Sequence, residues 1–348
     1  MSGESHVVKV GVIGCGYWGP NLIRNFSDIP GAEVVVVCDL DADRLDPILS
    51  AYPFVATTTD AAALISMPEL DAVAIATPVS THFDVALAAL RAGKHVLVEK
   101  PLAASSEEAL RLIDEAEKRS LVLMVDHTFV YSGTVRTVRD LIANDGIGDI
   151  TYYDAVRVNL GLFRHDVNVL WDLAVHDLSI MDYLLEQRPC AVSATGARHV
   201  AGGTENIAYI TVFFEDNLIA HVHANWLAPV KIRHTLIGGT KKMIVCNDIE
   251  PVEKVRVYDR GITVTDDPES TRRLRIGYRT GDMSAPEVDM TEALRTEALH
   301  FVRCIANAER PITDGEAGLR VIRILEAATR SVAGRGKPVE LAGSGVVA

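Results

Sequence analysis

The sequence predicts an α/β protein in which a doubly wound parallel sheet precedes a second domain with a large, mostly antiparallel open sheet. Up to about residue 126, short apolar runs rich in β-branched residues alternate with helix-like segments. After about residue 150, longer runs with alternating polar and apolar residues take their place. A chain of 348 residues also exceeds one ordinary domain. We therefore expect one domain at residues 1–126 and another at residues 127–348.

Continuous apolar runs in the first domain are typical of parallel strands that are covered on both faces. We expect such strands at VVKVGVI (7–13), EVVVVCD (33–39), AVAIATP (72–78), HVLVEK (95–100) and LVLMVD (121–126). Helix-like segments lie between them, for example 81–92 and 105–119. Ser105 and Glu108 have the spacing of a capping box, which predicts the start of the second helix.

Longer strands in the second domain alternate polar and apolar positions, which favours a sheet with one open face. We expect them at 150–160, 191–200, 206–214, 217–228, 231–238 and 241–247. Asp216-Asn217 and Gly238-Gly239 supply turn residues between neighbouring strands. Because a broad sheet face is usually covered, this pattern predicts a homodimer or homotetramer.

The last third of the chain combines a polar stretch with two helices. Residues 262–288 are polar and rich in Arg, Asp and Gly, and we expect a long loop there. A helix over 291–308 carries an apolar stripe of Leu294, Ala298, Phe301, Val302 and Ile305. The capping pair Thr313/Glu316 predicts a second helix over 315–333, which we expect to pack back towards the first domain.

The charge balance excludes several classes of partner. A net charge of −13 argues against nucleic acid and against an anionic membrane surface, because both require a basic footprint. The start of the chain lacks the pattern of a signal peptide, and no apolar run approaches the ~18 residues of a membrane span. The cysteines Cys15, Cys38, Cys190, Cys246 and Cys304 are scattered without CxxC spacing, which favours reduced thiols over a disulfide or metal site. We expect a cytoplasmic protein without a metal.

The segment GVIGCGYWGP (11–20) is the first candidate binding site. Gly14, Gly16 and Gly19 form G-x-G-x-x-G at the junction of a strand and a helix, with Tyr17 and Trp18 between the last two glycines. In this context the pattern indicates a turn against which a dinucleotide pyrophosphate lies, close to the positive end of the helix. A tight turn with no ligand is the alternative.

Asp39 follows the second strand, 20 residues beyond Gly19. An acidic side chain there can accept hydrogen bonds from both ribose hydroxyls and repels a 2′-phosphate, so the pattern favours NAD over NADP. A simple loop acid is the alternative interpretation.

Two further stretches carry candidate catalytic groups. Lys100 in EKPLA (99–103) follows a strand at the carboxyl edge of the sheet, where ligands bind in such folds, although a surface lysine is the alternative. In the expected helix 169–185, Asp172, His176, Ser179 and Tyr183 lie on one side, opposite an apolar stripe. Asp172 and His176 are i and i+4, so the carboxylate could orient the imidazole. A solvated helix face explains the same pattern equally well.

The combination of GVIGCGYWGPN, ATPVSTH (76–82), VEKPLA and WDLAVHD resembles the Gfo/Idh/MocA family of NAD(P)-dependent sugar oxidoreductases over nearly the whole chain. This resemblance implies a Rossmann domain and a catalytic set of Lys100, Asp172 and His176. It also implies that Thr77, Pro78, His82 and Glu99 lie along the nicotinamide half of the cofactor. Asp126-His127-Thr128 stand where many members carry a different polar sequence ending in Arg-Tyr.

Within the family, the chain is most similar to bacterial nucleotide-sugar 3-dehydrogenases that oxidise UDP-N-acetylglucosamine or its uronate ahead of an aminotransferase. The implied reaction passes the hydrogen on C3 to NAD while His176 takes the hydroxyl proton, Asp172 orients the imidazole and Lys100 stabilises charge on oxygen. His176 and Lys100 could exchange these roles. Candidate substrate contacts on second-domain strands are Arg157, Asn159, Lys231 and Arg233, each of which could instead be an ordinary sheet residue.

Three other functions remain open from the sequence. A free sugar or inositol dehydrogenase would use the same three residues without a uridine site. A sugar 3-ketoreductase would run the same chemistry in reverse. A non-catalytic NAD-binding regulator would need only the glycine turn, so the presence of Lys100, Asp172 and His176 argues against it.

Overall fold

The protein, seen in a computed structural model, is described over residues 7–161, 167–265 and 275–341. Contacts divide it into two compact units, one of Met1–Ser132 with Thr291–Glu326 and one of Gly133–Met290 with Ala327–Ala348. This division differs from the single boundary expected at 126/127. The segment after 290 joins the first unit because the fully buried Phe301 packs against Phe26, with ring centroids 6.1 Å apart.

The first unit contains a six-stranded sheet in the order β3-β2-β1-β4-β5-β6, which is parallel as the sequence predicts. The five predicted strands are present, whereas the short strand at Ala56–Thr58 was not predicted. Its strands are β1 (Val8–Ile13), β2 (Ala32–Cys38), β3 (Ala56–Thr58), β4 (Ala72–Ile75), β5 (His95–Glu99) and β6 (Leu123–Asp126). The intervening helices are α1 (Gly19–Asp28), α2 (Asp46–Ala51), α3 (Ala61–Ile65), α4 (Val79–Arg91) and α5 (Ser106–Arg119), with 3₁₀ turns at Ala42–Arg44 and Thr128–Tyr131.

The strand order reverses between β1 and β4, which creates the crevice where ligands bind in such sheets. The central strands are nearly completely buried, as continuous apolar runs require. At the start of α5, the Ser105 hydroxyl accepts a hydrogen bond from the Glu108 N–H at 3.2 Å, so the expected cap is confirmed. The returning Glu108 carboxylate accepts from the N–H of Ala104.

The second unit contains a nine-stranded sheet in the order β16-β13-β12-β11-β7-β10-β9-β8-β17. The elements from α6 to β13 are α6 (Gly133–Ala143), β7 (Ile150–Leu160), a π-helical turn (Leu170–Ala174), α7 (Val175–Leu184), β8 (Pro189–Ala197), β9 (Ile207–Phe214), β10 (Ile219–Asn225), β11 (Leu227–Gly239), β12 (Met243–Asn247) and β13 (Val255–Tyr258). Pairing within this sheet is antiparallel apart from β7 with β10, so the prediction of a mostly antiparallel sheet is confirmed.

The two faces of this sheet have different surroundings. Alternate residues of β9 are buried, whereas Tyr209 between them is 42% exposed. On the covered face, the Tyr153 hydroxyl donates to the Asp177 carbonyl of α7. The period-two pattern of the sequence therefore corresponds to one packed face and one open face.

The prediction of a continuous loop over 262–288 is wrong at both ends. Strand β14 (Gly261–Thr265) pairs antiparallel with β15 (Arg275–Arg279), and β16 (Met283–Ser284) pairs with β13. Residues 266–274 of that prediction lie outside the described residues. The strands lack an apolar signature because the hairpin buries little: Ile262 and Tyr278 are 59% and 85% exposed.

The last elements are α8 (Ala293–Asn307), α9 (Gly315–Ala333) and β17 (Val339–Glu340). The expected Thr313 cap of α9 is wrong. The Thr313 hydroxyl donates to the Val125 carbonyl at 2.7 Å, and the Asp314 carboxylate instead accepts from the N–H of Ala317 at 2.8 Å. Helix α9 begins in the first unit, and its residues from Ala327 belong to the second. Every helix in the described ranges is too short or too polar to cross a bilayer.

Candidate active site

The turn after β1 leaves space beside its middle glycine. Gly14 has φ +99°, and a Cβ there would lie 2.6 Å from the Ala76 carbonyl oxygen. A Cβ on Gly19 would lie 1.9 Å from the Gly14 carbonyl oxygen, so α1 contacts the turn directly. A Cβ on Gly16, by contrast, would meet nothing closer than an Arg44 nitrogen at 3.9 Å. Gly14 and Gly19 are therefore required by close contacts within the protein backbone, whereas Gly16 leaves its own backbone beside open space.

The start of α1 lies at the same turn. No side chain caps the helix at Trp18. Pro20 has no N–H, and the N–H groups of Asn21 and Leu22 donate to the Trp18 carbonyl. The Gly19 N–H and the positive end of the helix dipole are therefore what α1 offers to an anion. Tyr17 and Trp18 are exposed and contact each other edge to face at 5.3 Å. Their aromatic surface borders the approach to the glycine turn.

Asp39 connects β2 to the glycine turn. Its carboxylate accepts hydrogen bonds from the N–H groups of Cys15 at 2.6 Å and Asp41 at 2.9 Å. The Arg44 guanidinium is 3.9 Å away. Since each carboxylate oxygen has two lone pairs, both oxygens can still accept from ribose hydroxyls. The glycine turn and Asp39 together have the donors and acceptors that an adenosine pyrophosphate requires, so the residues fit an NAD molecule.

His82 joins two loops at the carboxyl edge of the sheet. It is 1% exposed, and its ring nitrogens lie 2.8 Å from the Thr77 and Pro101 carbonyl oxygens. Burial lowers the pKa of His82, so the neutral ring donates to one carbonyl at a time. The contacts of His82 therefore hold the loops carrying Thr77, Pro78 and Lys100.

Glu99 and Lys100 follow at the end of β5, where the Lys100–Pro101 peptide bond is cis. The Glu99 carboxylate accepts from the Lys100 N–H at 3.2 Å. Burial and the neighbouring Asp126 raise the pKa of Glu99, while the Lys100 ammonium opposes that rise. Lys100 itself is half-buried. The Lys100 charge therefore lies beside the Glu99 carboxyl group, whose raised pKa disfavours ionisation.

Three buried polar residues next to this loop, Asp126, His127 and Glu297, are 2%, 2% and 0% exposed. The sequence marked Asp126 and His127 only as a departure from the family pattern, and Glu297 was not predicted as a site residue. Within the described residues, neither ring nitrogen of His127 makes a hydrogen bond. Burial, followed by the Lys100 charge, lowers the pKa of His127 to about 3. The available signal for Glu297 was its position on α8, three residues after Leu294 and four before Phe301, on the apolar side.

In the second unit, Asp172 and His176 lie at a junction between two kinds of helix. The expected α-helix over 169–185 is wrong for Leu170–Ala174, which form a π-helical turn before α7 begins. The Asp172 carboxylate accepts from the Trp226 indole N–H at 3.0 Å, and Trp226 is 1% exposed. Ser179 is buried and donates to the His176 carbonyl at 2.8 Å. Such π turns often occur at functional sites.

The candidate substrate contacts have different environments. Arg157 is 4% exposed and forms a two-pronged ion pair with Asp177, with distances of 2.7 and 3.0 Å. Its sheet partner Arg233 is half-buried and 3.2 Å from Asp248. Burial and the Arg157 charge lower the pKa of Arg233. Lys231 is exposed and Asn159 half-buried. The charge of Arg157 is therefore already balanced inside the unit.

The structure groups the predicted residues into two sets. In the first unit, the glycine turn, Asp39, Thr77, Pro78, His82, Glu99 and Lys100 all lie at the carboxyl edge of the parallel sheet. In the second unit, Asp172 lies on the π-helical turn, which packs on β10, and His176 lies on α7, which packs on β7. No group of three or more His, Cys, Asp or Glu side chains in the described chain could hold a metal ion.

Comparison with known proteins gives matches over both units. The model described as "oxidoreductase family, NAD-binding Rossmann fold" matches residues 8–127, and "GFO/IDH/MocA C-terminal domain" matches residues 135–245. The UDP-N-acetylglucosamine 3-dehydrogenase of Acidithiobacillus ferrooxidans is 31% identical, covering 90% of this chain and 94% of its own. A solved structure of that enzyme has a TM-score of 0.80 at 27% identity, covering 94% and 97% of the two chains.

Other similar proteins act on different substrates. The D-apiose dehydrogenase of Paraburkholderia graminis is 25% identical, covering 96% of this chain and 89% of its own. The scyllo-inositol 2-dehydrogenase (NAD(+)) of Bacillus subtilis is 26% identical, covering 97% of each. The similarity thus extends over whole chains but spans nucleotide sugars, free sugars and cyclitols.

Proposed function

The chain belongs to the Gfo/Idh/MocA family of sugar and polyol oxidoreductases, and we propose that it oxidises the C3 hydroxyl of a UDP-N-acetylhexosamine or its uronate with NAD. The product is a 3-keto sugar, which an aminotransferase can convert to a 3-amino sugar in the assembly of bacterial polysaccharide or lipid. The observation that carries this proposal is the similarity to the UDP-N-acetylglucosamine 3-dehydrogenase, at 31% identity over 90% of the chain.

NAD is the cofactor that the first unit favours. The glycine turn and the uncapped start of α1 would hold the pyrophosphate, and Asp39 would bind the ribose. The Asp39 carboxylate disfavours a 2′-phosphate at the same position, so NADP is the weaker partner. When bound, NAD supplies the acceptor for the hydride. We expect this reaction to take place in the cytoplasm.

The protein supplies the proton chemistry. In the proposed reaction His176 takes the proton of the substrate hydroxyl, since a neutral imidazole nitrogen is a common general base in enzymes. Asp172 orients that imidazole, and its own carboxylate is held by the Trp226 indole. The Lys100 ammonium stabilises the charge that develops on oxygen. Exchange of the two roles between His176 and Lys100 is the alternative.

Replacing Lys100 tests the assignment. We expect Lys100→Ala to lower kcat by about 100-fold or more while NAD binding changes little, because the lysine acts on the transition state. Lys118→Ala, at an exposed lysine of α5, is the matched control and should retain full activity. Near-normal turnover by Lys100→Ala would remove this lysine from the mechanism.

A free sugar or inositol dehydrogenase is the second candidate. The ion pair between Arg157 and Asp177 favours it, because a neutralised arginine contributes little to binding a pyrophosphate. The two functions are separated by following NADH absorbance with UDP-N-acetylglucosamine, its uronate, D-apiose and scyllo-inositol. Turnover of the cyclitol or free sugar, with none of the UDP sugars, would establish the second candidate.

We also propose that the open face of the nine-stranded sheet joins copies of the chain into a dimer or tetramer. Tyr209 is 42% exposed on that face and stacks on His223 at 4.4 Å, which makes an aromatic surface suited to burial. Light scattering of the purified protein should give two or four chains per particle. A monomer at micromolar concentration would contradict this proposal.

A further inference from the structure

Two carboxyl groups face each other at the carboxyl ends of β5 and β6. Glu99 and Asp126 are register partners on these neighbouring parallel strands, so their Cα atoms are about 4.8 Å apart. Both side chains are buried. The Asp126 carboxylate accepts from the Thr128 hydroxyl through one oxygen, while its other oxygen has no hydrogen bond within the described residues. Two negative charges at this distance and depth repel strongly.

A third carboxyl group, from a different part of the chain, points at this pair. Glu297 on α8 is 0% exposed, and its carboxyl group interacts with Asp126. Neither oxygen of Glu297 accepts a hydrogen bond from an N–H or O–H group of the described protein. Two ionised carboxylates cannot satisfy each other, whereas a protonated carboxyl donates an O–H to its neighbour. One proton between Glu297 and Asp126 therefore supplies the missing donor.

The groups around Glu297 agree with a retained proton. Burial is the largest cause that raises the pKa of Glu297 well above its ordinary value, and the negative charge of Asp126 is the next. Glu99 adds a further negative charge from β5, whereas the Thr128 hydroxyl, which donates to Asp126, opposes the rise. Tyr131, from the turn after β6, is buried and its pKa is raised, so it remains neutral. None of these neighbours brings a positive charge against Glu297.

Lys100, which follows β5, and Arg24, which lies on α1, are cations on elements next to this cluster. The Lys100 ammonium lowers the pKa values of Glu99 and of the neutral His127. On α1, which packs against α8, Arg24 is paired with Glu292 at the start of α8, at 2.6 Å. The ammonium of Lys100 is thus the cation that the cluster faces on the side of the nicotinamide site.

We propose that Glu297 is the proton-holding member of a buried carboxyl triad with Asp126 and Glu99, and that its proton limits the negative charge next to Lys100. Glu297 is then a positioning residue, because it acts on the reaction only through Lys100. While the triad keeps the proton, the ammonium remains available to the substrate oxygen. When the proton is lost, the triad carries one more negative charge, which binds the ammonium more strongly, and activity falls. This role rests on the proposed dehydrogenase function, whereas the proton itself does not.

Thermal and denaturant unfolding test the proton without any substrate. In the unfolded chain Glu297 has an ordinary pKa of about 4.3, so unfolding at neutral pH releases the proton. The folded protein therefore loses stability as pH rises from that value towards its own raised pKa. Glu297→Gln keeps an N–H donor for Asp126 and cannot ionise. Relative to this variant, the unfolding equilibrium constant of the unaltered protein should rise with pH above about 4.3, by at most about tenfold per pH unit, until the pH reaches the raised pKa of the folded protein.

One control variant and one second test variant accompany the unfolding measurement. Glu292→Gln lies on the same helix, where Arg24 lowers the pKa of Glu292, so its stability should run parallel to the unaltered protein over the same pH range. Asp126→Asn also places a donor against Glu297, so it should reduce the pH dependence. Parallel curves for Glu297→Gln and the unaltered protein would mean that Glu297 is ionised when folded, which overturns the proposal.

The pH profile of kcat/KM tests the link to Lys100. We expect Glu297→Gln to match the unaltered protein near neutral pH and to keep its activity to a pH at least about one unit higher. An unchanged alkaline limb, together with a changed stability curve, would show that the proton is held but does not act on Lys100. If no alcohol is oxidised by any variant, the dehydrogenase proposal fails while the unfolding data still decide the protonation of Glu297.

Discussion

Gly16 and Gly19 allow the nucleotide turn to be tested with two substitutions of the same size. A Cβ on Gly16 has 3.9 Å to its nearest neighbour, whereas a Cβ on Gly19 would lie 1.9 Å from a backbone oxygen. We expect Gly16→Ala to change the free energy of unfolding by less than about 0.5 kcal/mol. Gly19→Ala must move α1 by more than an ångström, which should cost about 3 kcal/mol or more.

Although Gly16→Ala should hardly change stability, it should weaken the binding of NAD. The space beside Gly16 is where the pyrophosphate would contact the backbone, so a methyl group there should weaken NAD binding by about tenfold or more, or ~1.4 kcal/mol. Thermal unfolding without cofactor, followed by circular dichroism, should give Gly16→Ala a Tm within about 2 °C of the unaltered protein. Gly19→Ala should fall by roughly 6–12 °C. Calorimetric titration then measures the Kd for NAD.

Two results would refute this reasoning. If Gly16→Ala binds NAD within about twofold of the unaltered protein, the pyrophosphate does not lie on that backbone. If Gly19→Ala unfolds at the same temperature as the unaltered protein, the contact between α1 and the Gly14 carbonyl does not limit stability. Gly14→Ala offers a second check, because φ is +99° there and a side chain is strained whatever the space.

Three other substitutions test the remaining contacts. Asp39→Ser should raise the ratio of kcat/KM with NADP to that with NAD by about tenfold, because the repulsion of a 2′-phosphate is removed; an unchanged ratio in initial-rate assays would contradict this. Arg157→Met should cost about 3–5 kcal/mol in urea unfolding by leaving Asp177 charged and buried, and the added Asp177→Leu should recover most of it; strictly additive losses would refute the ion pair. His127 has a pKa of about 3 when folded and about 6.5 when unfolded, so stability is lost as pH falls between these values, and His127→Asn should flatten that acid limb of a Tm series. Identical acid limbs would show that His127 is protonated in the folded protein.

The first sheet could be predicted because the sequence patterns that specify its strands are local. Five of the six strands are continuous apolar runs that alternate with helix-like segments, so their parallel arrangement follows from general rules of connection. The short β3, with the sequence ATT, has no apolar run and was not predicted. The glycine turn and Asp39 are likewise close in sequence, at 14–19 and 39, and meet through two neighbouring strands. Their hydrogen bonds needed no information from the rest of the chain.

Features that depend on distant contacts could not be predicted. Thr313 has the spacing of a cap, but its hydroxyl is used by Val125, 188 residues away in sequence. The π-helical turn at Asp172 has the same apolar spacing as an α-helix, and the Asp172 carboxylate is held by Trp226, which lies between β10 and β11. Glu297 lies among the apolar positions of α8, but its spacing alone does not show the interaction with Asp126 that the fold gives it.

Transfer of a labelled hydrogen tests the proposed chemistry most directly. UDP-N-acetylglucosamine and its uronate, each carrying deuterium at C3, are incubated with the protein and NAD, and the reduced cofactor is analysed by mass spectrometry. We predict one deuterium in each NADH formed, together with a 3-keto sugar. NADH without deuterium, or no NADH from either compound, would contradict oxidation at C3 of these sugars.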